Sequence, residues 1–167
     1  MIRAMTLSEL APKLKGEMSF GDCSFDRVST DSRTLQGGEF FVALKGESFD
    51  AHDFLPEVVS AGVCGILLET ENQDLGVPQL KVADTDIALG EIASASLSEF
   101  EGQVLAITGS GGKTTVKDLS SAILGEVGAV HATRGNYNNE IGVPISVLAM
   151  PAGNDYLVLE LGASAPG

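Results

Sequence analysis

The sequence predicts an α/β protein: a small N-terminal α/β domain, then the first part of a phosphate-loop domain built on a parallel sheet. Three observations carry this. The apolar run Val104-Leu105-Ala106-Ile107 leads through Thr108-Gly109-Ser110-Gly111-Gly112 into Lys113-Thr114-Thr115, the pattern of a strand, a glycine-rich turn and a helix start. From Val104 to Glu160, strand-like and helix-like stretches alternate, as a parallel sheet with crossover helices requires. Upstream, short apolar runs between Phe25 and Val82 are set apart by polar turns.

Taken in order, Thr6 opens a short helix to Leu14 with Leu7, Leu10 and Leu14 on one side and Pro12 inside the window. Phe25 to Ser29 reads as a strand leading into the polar segment Thr30-Asp31-Ser32-Arg33. Gly37-Gly38 turns the chain into Phe40-Phe41-Val42-Ala43-Leu44, a buried-strand pattern. Asp53 is expected to cap a helix to about Ala61, which Gly62 ends. Val63 to Leu68 and Leu80 to Val82 are further strands, with the polar loop Glu69 to Gly76 between them. Asp84-Thr85-Asp86 caps a helix carrying Ile87, Ile92, Ala95 and Phe100. No linker composition marks a boundary, so the new strand–turn–helix unit sets it: residues 1–83 form one domain and 84–167 belong to the next.

Val104 to Ile107 is expected to be buried. Val116, Leu119 and Ile123, with Ala122 beside them, would give the following helix one apolar face for the sheet. Ala129 to Ala132 is the second strand of this domain. Arg134-Gly135-Asn136-Tyr137-Asn138-Asn139-Glu140 is a polar loop before Ile141-Gly142-Val143-Pro144, where Pro144 suits the first turn of a helix through Met150. Tyr156 to Glu160 is a third buried strand with an acid at its end. Ligands of such sheets lie beyond the carboxyl ends of the strands. The glycine loop, the asparagine loop and Glu160 all fall there.

Of the 167 residues, 44% are apolar and 20% charged, a balance that suits a folded chain and not a disordered one. The formal net charge of −13 argues against nonspecific binding to nucleic acid or anionic membrane. No apolar run reaches the length of a membrane span and the N-terminus has no signal-peptide core, so a cytoplasmic protein is expected. Cys23 and Cys64 are too few and too scattered for a disulfide framework or a zinc site. Cys64, inside an apolar run, is expected to be a buried free thiol.

The glycines of Gly109-Ser110-Gly111-Gly112 let successive N–H groups face one concavity, and the helix behind adds its open N–H groups and positive dipole end. That is an anion site suited to the phosphates of ATP, and Gly109 to Thr115 are its expected lining. Lys113 adds a point charge, and the Thr114 hydroxyl suits Mg²⁺. The match is to a shortened motif, because Ile107 stands where the common form has its first glycine. Glu160 is either a surface acid at a strand end or a magnesium ligand, and its place beside the loop favours the second. Asn136, Asn138 and Asn139 are more asparagines than one turn needs.

Several stretches resemble the Mur ligases of bacterial cell-wall synthesis. Ser29-Thr30-Asp31-Ser32-Arg33, Gly38-Glu39-Phe40-Phe41-Val42-Ala43-Leu44-Lys45-Gly46 and Phe49-Asp50-Ala51-His52-Asp53-Phe54 resemble the family's N-terminal domain, with Ala51 where Gly is frequent. Gly109 to Thr115 resembles its ATP loop, with Gly111 where many members carry Asn. Gly135 to Pro144 and Leu159-Glu160-Leu161-Gly162-Ala163 resemble most the member that joins D-alanyl-D-alanine to UDP-N-acetylmuramoyl-tripeptide.

The resemblance covers nearly the whole chain and implies an ATP-dependent amide ligase. ATP would phosphorylate the tripeptide carboxylate, and the dipeptide amine would attack the acyl phosphate. Lys113, Thr114 and Glu160 would be catalytic, with Thr114 and Glu160 holding Mg²⁺. The UDP end of the substrate would lie on Ser29, Thr30, Asp31, Ser32, Arg33, Lys45, Gly46 and His52, and the muramoyl-peptide on Asn136, Asn138 and Asn139. By residue type alone, Arg33 either grips a diphosphate bidentately or forms a salt bridge with Asp31, and His52 is either a ligand group or a hydrogen-bonded structural histidine. Members continue past the region matched here, so the chain is expected to be the N-terminal part of a monomeric enzyme and inactive alone. Two other readings stay open: a ligase of the family that adds the third residue, and a nucleotide-binding module without transferase chemistry.

Overall fold

The computed structural model describes residues 1–46 and 49–162. They form two compact units, residues 3–92 and the described residues from 93 onward together with 1–2. Ala163, and with it the end of the Leu159–Ala163 motif and of the second expected domain, lies outside the described residues.

In the first unit, β1 (Met5–Thr6) runs into α1 (Leu7–Leu14). The Thr6 hydroxyl accepts from the Glu9 N–H while the Glu9 carboxylate accepts from the Thr6 N–H, which satisfies donors that a helix start otherwise leaves open. The helix continues through Pro12 and buries Leu7, Leu10 and Leu14. Next come β2 (Glu17–Ser19), β3 (Ser24–Phe25) and β4 (Val28–Ser29). The single strand expected over Phe25–Ser29 is therefore two, because β3 pairs antiparallel with β1 whereas β4 joins a different sheet. Arg27 holds the crossing between them. Its guanidinium donates to the buried Glu39 carboxylate at 3.0 Å and to the Gly37 carbonyl at 2.7 Å.

β5 (Phe40–Val42), β6 (Gly65–Leu68) and β7 (Gln79–Lys81) complete a five-stranded sheet of order β2-β7-β6-β5-β4. It is parallel except at the antiparallel edge strand β2. β5 and β6 are buried along their whole length, as parallel strands covered on both faces are. Between them Asp50, not Asp53, is the cap. Its carboxylate accepts from the His52 N–H and opens a 3-10 turn, Ala51–Phe54, that leads into α2 (Leu55–Ser60). Ala51, Leu55 and Val58 pack with Phe41, Ile66 and Leu68 in one buried cluster. The next helix, α3 (Thr85–Leu97), which the boundary after Ile92 divides between the two units, is started by the Asp84 carboxylate, which accepts from the Ile87 N–H. It buries Ala88, Leu89, Ile92 and Ala93. Ile87 is instead 63% exposed, and Phe100 lies beyond the helix end.

The second unit holds β8 (Gln103–Ile107), α4 (Lys113–Gly125), β9 (Val130–Ala132), α5 (Gly142–Leu148) and β10 (Tyr156–Glu160). The three strands are parallel in the order β8-β10-β9, so the last in sequence is the central one. Leu157, Val158 and Leu159 are buried, as a central strand demands. Two expectations are corrected here. β8 is not buried: Val104 and Leu105 are exposed, because β8 is an edge strand of the sheet that the described residues form. α4 presents its polar face inward. Thr114, Lys117 and Ser121 follow one another at i, i+3 and i+7, and Lys117 is buried while Val116, Leu119 and Ile123 are exposed. Hydrogen bonds from Thr114 and Lys117 to the strand ends set that face.

Candidate active site

The turn after β8 depends on glycine at two places. Gly109 stands at φ +151° and Gly112 at φ +73°, a region where an L side chain is strained. Gly112 also brings no side chain to cap α4, so the first N–H groups of the helix stay open to an anion. Lys113 Nζ donates to the Gly109 carbonyl at 2.9 Å, which closes the loop with its own ammonium.

Glu160, at the end of β10, is 3% exposed and so is no surface acid. Both carboxylate oxygens are engaged. Asn138 Nδ2 donates to Oε1 at 2.8 Å, and Thr114 Oγ1 donates to Oε2 at 2.9 Å. The Asn138 amide, then the Thr114 hydroxyl, hold the carboxyl below the usual glutamate range against the opposing effect of burial; Lys117 and Lys113 add their positive field. The Glu160 N–H donates to Thr133 Oγ1 at 3.1 Å, which fixes the strand end. Gly112, Lys113, Thr114, Thr115, Asn138 and Glu160 line a cleft of about 290 Å³.

The asparagine loop divides by role. Asn138 lines the cleft, whereas Asn139 Oδ1 accepts from the Gly142 N–H at 2.7 Å and holds the start of α5. Asn136 is exposed, and its carbonyl accepts from the Asn138 N–H at 2.8 Å. Two residues that sequence reasoning missed support the cleft from behind. Lys117 Nζ donates to the Thr133 carbonyl at 3.0 Å and pairs with Asp118 at 3.1 Å, and both Lys117 and Thr133 are buried. In sequence Lys117 looks like one more surface lysine. The one available signal was its place three residues after Thr114, on the same helical face.

Among the described residues, no group of three or more His, Cys, Asp or Glu side chains is placed to hold a metal alone. A hard cation that keeps waters and takes phosphate oxygens needs less. The Thr114 hydroxyl and the Glu160 carboxylate, both oxygen ligands on one cleft wall, fit such an ion.

The polar segment of the first unit is organised by Asp31. Arg33 Nε donates to Asp31 Oδ1 at 2.8 Å and Nη2 to Oδ2 at 2.6 Å, while the Arg33 N–H also donates to Oδ1, opening a 3-10 turn over Ser32–Thr34. Of the two readings of Arg33, the salt bridge is the one formed, and the Arg33 side chain remains 85% exposed. The guanidinium beside Asp31 holds that carboxyl below its ordinary range. Ser29 Oγ accepts from the Asp31 N–H at 3.3 Å.

His52 has both ring nitrogens in use. Nδ1 lies 2.6 Å from Asp50 Oδ1, and Nε2 accepts from the Glu69 N–H at 3.1 Å, which places the proton on Nδ1. It ties the loop before α2 to the end of β6, the work of a structural histidine. Lys45, Asp50, His52, Leu55 and Glu69 belong to the lining of a cleft of about 360 Å³ at the carboxyl ends of β5 and β6.

Residues 107–167 match the family model described as the Mur ligase middle domain. Over 164 residues the chain is 46% identical to the UDP-N-acetylmuramoyl-tripeptide–D-alanyl-D-alanine ligase of Escherichia coli (strain K12), covering 98% of this chain and 36% of that protein. A crystal structure of MurF from Acinetobacter baumannii superposes with a TM-score of 0.91 at 36% identity, over 99% of this chain and 37% of the other. MurF from Thermotoga maritima, solved in complex with ADP, gives 0.76 at 38% identity over 84% of this chain and 33% of the other. The chain thus spans a little over a third of the length of the curated relatives it matches.

Proposed function

The chain belongs to the Mur ligase family, and we propose that the protein carrying it is the ATP-dependent ligase that joins D-alanyl-D-alanine to UDP-N-acetylmuramoyl-tripeptide in the cytoplasm. The observation that carries this reading is the Thr114–Glu160–Asn138 constellation beside Lys113: a phosphate loop whose far wall is a buried, hydrogen-bonded carboxylate.

Gly109 to Thr115 wrap the terminal phosphates of ATP with backbone N–H groups, and Lys113 turns from the Gly109 carbonyl toward the transferred phosphoryl group. These donors stand in place before charge develops on that group, so little reorganisation is left for the reaction itself. Thr114 and Glu160 would hold a Mg²⁺ ion, which would supply charge neutralisation at the phosphate oxygens. Asn138 keeps the Glu160 carboxylate ionised and aimed into the cleft. The tripeptide carboxylate takes the γ-phosphoryl group, and the dipeptide amine then attacks the acyl phosphate and releases phosphate. Residues 1–83 serve as the UDP-binding domain and 84–167 as the first part of the ATP-binding domain. Ser29 to Arg33 with Lys45 and Gly46 take the uridine diphosphate end, and His52 shapes the pocket from behind.

The test is ADP release by the protein carrying this chain. Release that requires both UDP-N-acetylmuramoyl-tripeptide and D-alanyl-D-alanine, and that Glu160→Gln abolishes, is expected. Release that needs a single amino acid and a dipeptide substrate would make it the third-residue ligase. Nucleotide binding without acceptor-dependent release would make it a binding module.

A further inference from the structure

The chain's only two cysteines are separated by 41 positions, from 23 to 64, yet the fold sets them side by side. Cys23 immediately precedes β3 and Cys64 immediately precedes β6. A Cβ built on Gly65 would stand 2.7 Å from Cys23 Sγ, so the Cys23 sulfur fills the space that glycine leaves next to Cys64. The two thiols lie close enough to act on each other's protonation. Neither backbone is loose: the Cys64 N–H donates to the Glu39 carbonyl at 2.9 Å, and the Cys23 carbonyl accepts from the Leu7 N–H at 3.3 Å. Cys64 is a free thiol as expected, but like Cys23 it is half-buried and not buried.

We propose that Cys23 and Cys64 form a reversible dithiol site that closes to an intramolecular disulfide by exchange with a low-molecular-weight disulfide. The roles of the two sulfurs differ. The neighbouring Cys23 thiol holds Cys64 below the ordinary thiol range, against burial and the charges of Glu39 and Asp26, while the Cys64 thiol and burial push Cys23 upward. Cys64 is therefore the attacking thiolate. It displaces one thiolate from the small disulfide and forms a mixed disulfide. Cys23 then loses its proton to solvent and attacks the Cys64 sulfur, displacing the second thiolate. Two protein thiols are oxidised and one small disulfide is reduced to two thiols. The site lies at the amino ends of the parallel strands, whereas Lys45 and the Ser29–Arg33 segment follow their carboxyl ends. The cross-link would tie the β3 region to β6 at the edge away from that segment.

The experiment is peptide mapping of the protein carrying this chain after incubation with oxidised glutathione, acid quench and alkylation. The expected result is a linked pair of peptides containing Cys23 and Cys64, lighter by two hydrogens, restored to two alkylated thiols by dithiothreitol. Cys23→Ser should stop at a glutathione adduct on Cys64. Two alkylatable thiols in the oxidised wild type, a lasting glutathione adduct there, or a cross-link between two chains would each overturn the proposal. The wild-type map decides this even if the variant fails to fold.

Discussion

Thr114 Oγ1 donates to Glu160 Oε2 across 2.9 Å, joining the first turn of α4 to the last residue of β10, 46 positions away. The bond does two things at once. It locks the helix start against the central strand, and it sets a hydroxyl and a carboxylate oxygen side by side on one cleft wall. A hydrogen bond to an ionised group contributes about 1.5–3 kcal/mol. Thr114→Val keeps the shape and removes the donor, so denaturant unfolding of the chain should show a loss in that range, and Thr114→Ser should recover most of it. A valine variant as stable as the parent would mean that the bond does not form in solution.

Lys113→Ala should lower ligase turnover by roughly 10²–10³-fold, by analogy with removing one preorganised donor to a developing charge. Binding of the UDP substrate should change little if, as proposed, Lys113 serves the nucleotide phosphates. Steady-state rates and a substrate titration on the same variant separate the two effects. Near-normal turnover would take Lys113 out of its role.

Lys117 is the buried prop of the second unit. Lys117→Met keeps the aliphatic stem and leaves the Thr133 carbonyl without its donor, at a cost of about 1–3 kcal/mol. Leu119→Ser, on the exposed face of the same helix, should stay within about 0.5 kcal/mol. Thermal melts of the two variants side by side check the orientation of α4. Equal losses would mean that Leu119 is buried in solution.

The depressed pKa of Glu160 gives the fold an acid dependence. A carboxyl lowered in the folded state adds stability above its unfolded pKa, and that stability is lost as pH falls through the folded pKa. The stability gap between the parent and Glu160→Gln should therefore be constant near neutrality. It should shrink once the pH drops below the ordinary glutamate range. Urea unfolding across that range reads it directly, and a gap that widens on acidification would reverse the assigned sign.

For the first unit, UDP titrated into isotope-labelled chain should shift amides within 29–46. On the proposed reading Arg33 would exchange part of its contact with Asp31 for the diphosphate, so its resonance should move most. Shifts absent from this segment at millimolar ligand would contradict the UDP assignment.

Much of the second unit was legible because its signals are local. A strand, a glycine turn and a Lys-Thr-Thr helix start lie within twelve residues, and the acid that completes them ends the next unmistakable apolar run. What was misread depends on tertiary partners. Helical periodicity alone placed Val116, Leu119 and Ile123 inward, but Lys117 and Thr114 find their acceptors on β10 and the residue after β9, and those bonds fix the helix face. Likewise, nothing in Phe25–Ser29 announces that the chain changes sheets at Arg27. The reason is Glu39, twelve residues on, which holds the guanidinium. Residue type likewise does not specify which backbone N–H His52 and Asn139 each meet, Glu69 and Gly142 respectively.

The placement of β10 between β8 and β9 sets an order in time for a chain emerging from a ribosome. β8 is complete at Ile107, but its partner begins at Tyr156. At about 5–20 residues per second, the first strand waits roughly 2–10 s for the backbone groups it will bond. α4 needs no such partner, because its hydrogen bonds are local and a helix forms within about a microsecond. During that interval the nascent chain would carry a finished helix behind an unpaired strand with Val104 and Leu105 bare. Of the residues that line the cleft, the Glu160 wall is made last, so the cleft closes dozens of residues after the loop that opens it.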